Sequence, residues 1–168
     1  MSSIIHTVAK QFALHTRLFN NVLEGIADEK GSERLSDEIN HLQWIAGHLV
    51  YLRYSFGSSL GINANFEYTD LYCDTSKPPP NNMPLDPSVQ YPPLGELKKL
   101  WNDQAPIFVA ALDKIPEDNL TADLPFGTPI GDKSLLSFLS FLASHEAYHI
   151  GQMSIIRKYM GLSAMSYK

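Results

Sequence analysis

Two histidines four residues apart, His145 and His149, stand in the middle of the last long apolar segment of the chain, with Gln152 shortly after them. On an α-helix, residues i and i+4 share a face, with Cβ atoms about 5–6 Å apart. Two imidazole nitrogens so placed can converge on one cation of the Zn²⁺, Ni²⁺ or Fe²⁺/Mn²⁺ type. At heptad spacing the segment 134–160 carries one seam: Leu135, Phe138, Leu142, His145, His149, Gln152, Ile156 and Tyr159. Imidazoles and an amide therefore occupy positions where a bundle packs apolar side chains. One histidine in such a seam reads as a hydrogen-bonded core residue. A pair with an amide on the same face reads as ligands, and asks for a third.

The third is sought on the other helical segments. Residues 37–60 read as a helix with an apolar stripe of Leu42, Ile45, Leu49, Leu52 and Phe56, beside a second stripe of His41, Trp44, His48, Tyr51 and Ser55. His48 lies mid-helix, one turn after Trp44, at the depth the later histidines would have, and is the expected third ligand. His41, nearer the helix start, reads as solvated or as a cap. His15 sits among Ile5, Val8, Phe12, Phe19, Val22 and Ile26 in a first helix over 3–26, where it reads as a core histidine with a hydrogen bond.

His145-Glu146-x-x-His149 also matches the H-E-x-x-H pattern of zinc proteases, in which the glutamate acts as general base. Such proteases take a third ligand downstream of the second histidine, and nothing after His149 is Asp, Glu or His. Glu146 lies about 100° around the helix from His145, where it can assist a bound water, support a ligand from behind, or face solvent. Gln152 is placed to orient a histidine, a water or a ligand. Arg53 and Arg157 are candidate contacts for the carboxylates of a small cofactor, although their polar neighbours make solvent the expected place for both.

These residues need a scaffold. At 168 residues the chain reads as one domain, 1–168, able to bury about 70% of its unfolded surface. A net charge of −5 speaks against nucleic acid as a partner. The single cysteine, Cys73, allows no internal disulfide and fits a reducing cytoplasm; no flanking cation activates it. The first residues lack the basic and apolar regions of a signal peptide. No apolar run approaches the roughly 18 residues of a membrane span. The stretch 61–93 holds Pro78, Pro79, Pro80, Pro84, Pro87, Pro92 and Pro93 and cannot be helical through its centre. A crossover of that length lets the following helix run parallel to the preceding one. Tyr68, Tyr72 and Tyr91 within it are expected to pack on the bundle rather than meet a substrate. A third helix over 94–115 contains Pro106, which should kink or divide it. Asp132 or Ser134 can cap the fourth, with Gly161 just past its end. With no strand pattern, the expected fold is all-α: a four-helix bundle with one long crossover connection.

At this point the residues resemble a known family. Trp44-x-x-x-His48 is similar to the W-x-x-x-H element of the DinB/YfiT-like proteins, and His145-x-x-x-His149-x-Gly151-Gln152 to their C-terminal element. The resemblance implies a metal-binding four-helix bundle, often a homodimer, with His48, His145 and His149 as the ligands. It further implies that relatives include transferases and isomerases using a low-molecular-weight thiol. The reading is therefore a divalent-metal enzyme acting on a small-molecule substrate, first as a thiol-dependent S-transferase. Metal-assisted hydrolysis and a non-catalytic metal-binding or dimerisation bundle are the alternatives. Exposed seams on the first two helices are the expected dimer face.

Overall fold

The computed structural model describes residues 3–77, 81–125 and 129–168; the expectations for Pro78, Pro79 and Pro80 fall outside them. Four long helices are present: α1 Ser3–Leu23, α2 Leu42–Ser59, α3 Leu94–Leu112 and α4 Leu135–Tyr159. Short 3₁₀ turns lie at Asp28–Lys30, Thr69–Leu71 and Glu117–Thr121, and the described residues hold no strand beyond two isolated bridges. None of these helices is long and apolar enough to cross a membrane.

Local chemistry sets the helix ends. Ser134 caps α4 by accepting from Ser137 N, while Asp132 accepts from both Ser134 N and Ser137 Oγ, so both expected capping residues act together. Gly161, with φ +80°, follows the Met160 C-cap and takes the left-handed turn that costs other residues energy. α2 starts five residues later than the sequence suggests, because residues 37–40 form turns and His41 is the N-cap, its Nδ1 accepting from Trp44 N at 3.1 Å. His41 is buried rather than solvated. α3 runs unbroken through Pro106, which is exposed; the carbonyl that proline leaves without a partner faces the side where water can serve it.

α1 packs against α3 and α4, and α2 packs against α3 and α4. Gln43 and Leu94 both crowd Gly31, and Gly57 lies against Gln104, so α2 and α3 run parallel, as the crossover allows. His15 meets Glu146 and Val22 meets Arg157, so α1 and α4 are also parallel. α4 runs antiparallel to α2, with Phe56 against Phe138 at one level and His48 against His145 at another.

The crossover covers the remaining side of α2. Phe66, Tyr72, Cys73 and Tyr91 are buried in the same apolar cluster as Trp44, Leu49 and Tyr51, which leaves every residue from 42 to 51 buried. Tyr72 packs against α2 at Gly47, where a Cβ would run into its hydroxyl and ring. The core face of α4 differs from the expected seam. Leu139, Leu142, Ala143, Glu146, Ile150, Met153, Ile156 and Arg157 are buried, whereas Tyr159 is 75% exposed. His145 therefore stands on the flank of the packed face, and Glu146 takes its centre.

Candidate metal centre

The rotation of α4 is set by charge. Glu146 is fully buried, its Oε1 accepting from Arg53 Nε at 2.7 Å and its Oε2 from Arg53 Nη2 at 2.9 Å, with His15 Nδ1 at 3.0 Å. Arg53 is also fully buried; its remaining donors reach Thr16 Oγ1 and Phe12 O, and its guanidinium lies 3.5 Å from the Trp101 ring centroid. Burial pushes the Glu146 carboxyl up, but the Arg53 charge, its hydrogen bonds and His15 outweigh that and hold it low. A paired buried carboxylate tolerates no rotation away from its partners. With Glu146 turned toward α1 and α2, His145 and His149 are carried to the α2 edge.

There they meet His48. His48 Nε2 lies 3.0 Å from His145 Nε2, and His149 Nε2 lies 3.1 Å from the same atom. The three ligand-capable nitrogens all fall within 4.8 Å of one another. A ring nitrogen carries either one proton or one in-plane lone pair, so His145 Nε2 cannot satisfy both neighbours by hydrogen bonding. One cation satisfies all three: histidine nitrogens about 2.0–2.1 Å from a tetrahedral ion stand about 3.3–3.4 Å apart, close to the separations found here. The donor set thus fits a divalent ion of borderline softness.

The imidazoles are also kept neutral, as ligands must be. Burial, then the neighbouring imidazoles, lower His48 to about 3. Burial and His145 lower His149 to about 4, against a raising hydrogen bond from Gln152. Burial lowers His145, with Glu146 opposing. Two of the rings have a supporting neighbour. Trp44 stacks on His48 with centroids 5.1 Å apart and planes 8° from parallel. Gln152 Oε1 sits 2.7 Å from His149 Nδ1, which places the proton on Nδ1 and frees Nε2. Gln152 Nε2 in turn donates to Tyr148 Oη at 3.0 Å. His48 and His149 are buried and His145 half-buried, so the triad opens on the α4 side, next to the exposed Tyr148.

A profile of the DinB superfamily matches residues 11–153. The chain belongs to the DinB superfamily. The crystal structure of a conserved protein from Enterococcus faecalis superposes with a TM-score of 0.73 at 13% identity, covering 94% of this chain and 97% of that one. At that identity the likeness speaks for the fold alone. No curated protein matches the chain.

Several sequence expectations are redirected by these contacts. Glu146, considered as a base beside the ion, has both oxygens committed to Arg53 and His15. Arg53 and Arg157, expected in solvent as anion contacts, are both buried. Arg157 donates to the carbonyls of Ser163, Val22 and Glu24 and ties the chain's C-terminal segment to the end of α1. His15 is the hydrogen-bonded core residue the sequence suggested. What the sequence did not show were the contacts: Trp44 stacked on His48, Tyr148 beyond Gln152, and the pairing of Glu146 with Arg53 and His15. One signal for the cluster was present, since Glu146 is the sole Asp, Glu, Lys or Arg between Lys133 and Arg157.

Proposed function

We propose that this DinB-superfamily protein binds a divalent transition-metal ion at His48, His145 and His149 and is an S-transferase, joining a low-molecular-weight thiol to an electrophilic small molecule. The observation that carries the metal reading is the convergence of three Nε2 atoms that hydrogen bonding alone cannot reconcile. When bound, a divalent ion held by three histidines keeps open positions and supplies Lewis acidity that favours the ionised form of a thiol. The chain's own residues do the rest. His48, His145 and His149 present lone pairs, Gln152 fixes the His149 tautomer, and Trp44 walls the inner side. The half-open face by His145 and Tyr148 is where a small molecule would enter.

Metal-assisted hydrolysis, the alternative chemistry, calls for a proton acceptor at the ion. The carboxylate nearest in sequence, Glu146, is bound elsewhere on both oxygens, so it is not that acceptor. Arg53 and Arg157 have no part in the proposed ligand site, because their donors are engaged inside the protein. A cytoplasmic setting, which keeps small thiols reduced, suits a chain whose one cysteine is free.

The test is elemental analysis of tag-free protein, wild type beside His145→Ala, followed by calorimetric titration of the metal-loaded wild type with small thiols. About one equivalent of metal that disappears in the variant, and a thiol titration that saturates, are the expected results. No metal uptake by either protein overturns the metal reading. Metal uptake without any thiol response overturns the transferase and leaves a metal-binding bundle.

A further inference from the structure

Where α2 and α3 begin side by side, their first turns border a cavity of about 480 Å³, within the size range of small-molecule sites. His41, the N-cap of α2, lines it, and so does Pro93, the N-cap of α3. The cavity is separate from the histidine triad, since His41 and His48 stand about 10 Å apart along α2. The two helix ends are treated differently. Each carries a partial positive charge. At α3 that charge is answered by carboxylates: Asp28 Oδ1 accepts from Gly95 N at 2.8 Å, and Glu96 stands in the first turn. The first turn of α2 holds no acidic residue. Its amides meet neutral acceptors, Gln43 N the carbonyl of Gly31 and Trp44 N the imidazole of His41. His41 is only 6% exposed. Because its Nδ1 accepts, its proton sits on Nε2, and among the described residues nothing accepts that proton. Donors on side chains this buried are almost always paired, so the acceptor has to enter through the cavity.

Arg34 adds a full positive charge to this end. It lines the cavity and is the charge that acts on His41. Its Nε and Nη2 donate to the carbonyls of Ile39 and Asp37, and the Asp37 carboxylate, 3.8 Å away, is fully exposed. The rest of the lining has another character. Asp28 and Glu29 supply carboxylates, and Val89 and Tyr91 supply apolar surface. We propose that this cavity binds a zwitterion, an apolar α-amino acid, with its carboxylate on the His41 N–H at the start of α2. Its ammonium lies toward Asp28 and Glu29, and its side chain lies against Val89 and Tyr91. The start of a long helix is suited to an anion, and Arg34 strengthens that preference. A plain anion would also meet two carboxylates, and a plain cation would leave the His41 N–H unpaired. A molecule with both charges answers both ends of the cavity. The site owes nothing to the metal centre or to the S-transferase reading.

Calorimetric titration of the full-length protein with L-phenylalanine tests this, beside 3-phenylpropionate and phenethylamine, which each lack one of its charges. L-phenylalanine is expected to saturate the protein. Each control should bind about tenfold more weakly, because a hydrogen bond to a charged group is lost. Glu29→Gln, at an exposed position, is expected to weaken L-phenylalanine and leave 3-phenylpropionate unchanged. Nitrogen NMR of the histidine rings locates the ligand: the His41 Nε2–H signal should shift on titration, and those of His48, His145 and His149 should not. His48→Ala, which removes a triad histidine, should bind L-phenylalanine as the wild type does. No saturation by L-phenylalanine, a control that binds equally well, an unmoved His41 signal, or binding lost in His48→Ala overturns the proposal.

Discussion

At the scale of single residues, the three converging histidines were legible and most of what surrounds them was not. His145 and His149 announce themselves by helical spacing, and His48 by its depth beside Trp44. Gln152 shares their face, so its role was half visible; the rotamer that points Oε1 at His149 was not. Supports of this kind change metal affinity about 10–100-fold when removed. Gln152→Ala is therefore expected to weaken metal binding by that factor in a competition titration, with helicity unchanged; an unaltered affinity would show that the amide does not position His149. His41 gives a pH prediction. Burial and then the Arg34 charge lower it from 6.5 to about 4, and its Nδ1 lone pair is the cap of α2. The unfolded chain takes up a proton that the folded chain refuses. Its contribution is complete above pH 6.5, is lost as pH falls from there toward 4, and then levels off. His41→Asn keeps a capping oxygen without the titration. Urea midpoints across that range should fall less steeply for this variant than for the wild type; parallel curves would assign the acid sensitivity to other groups.

At the scale of elements, the three-four rhythm located all four helices, since apolar periodicity is a local property of the chain. It misplaced the inward face of α4 because that face is centred on Glu146, whose partners Arg53 and His15 lie far away in sequence and come near only in the fold. Polarity then argued for solvent where pairing argued for the interior. Removing one partner leaves a buried charge alone, at a cost of about 3–5 kcal/mol. Arg53→Ala should lose stability on that order in urea unfolding, and Arg53→Met combined with Glu146→Leu should recover part of it. If the double replacement is as damaging as the single one, packing rather than charge explains the loss. The crossover was readable as a long connection but not as a cover for α2. Gly47→Ala tests that role, because the added methyl meets Tyr72. It is expected to cost about 1–3 kcal/mol and to change the fluorescence of Trp44, whose ring neighbours Tyr72.

At the scale of the molecule, an ion at the triad would bridge α2 and α4, two helices joined otherwise only through the packed core. Free metal at about a hundredfold over its Kd adds about 2.7 kcal/mol to folding. Thermal unfolding should therefore shift upward with added metal in the wild type and stay put in His48→Ala; equal shifts would place the ion elsewhere. The parallel pairing of α1 with α4 has a further consequence, for the order of assembly. α1 leaves the ribosome first and α4 last, and Arg53 has no carboxylate to neutralise it until Glu146 emerges. A nascent chain that stops short of α4 holds a cation among aromatic rings and an open groove where α4 belongs. Contacts between segments far apart in sequence are slow to form, so this bundle should fold sluggishly for an all-helical protein and only once α4 has emerged. Biogenesis of the histidine cluster and completion of the fold are then one event.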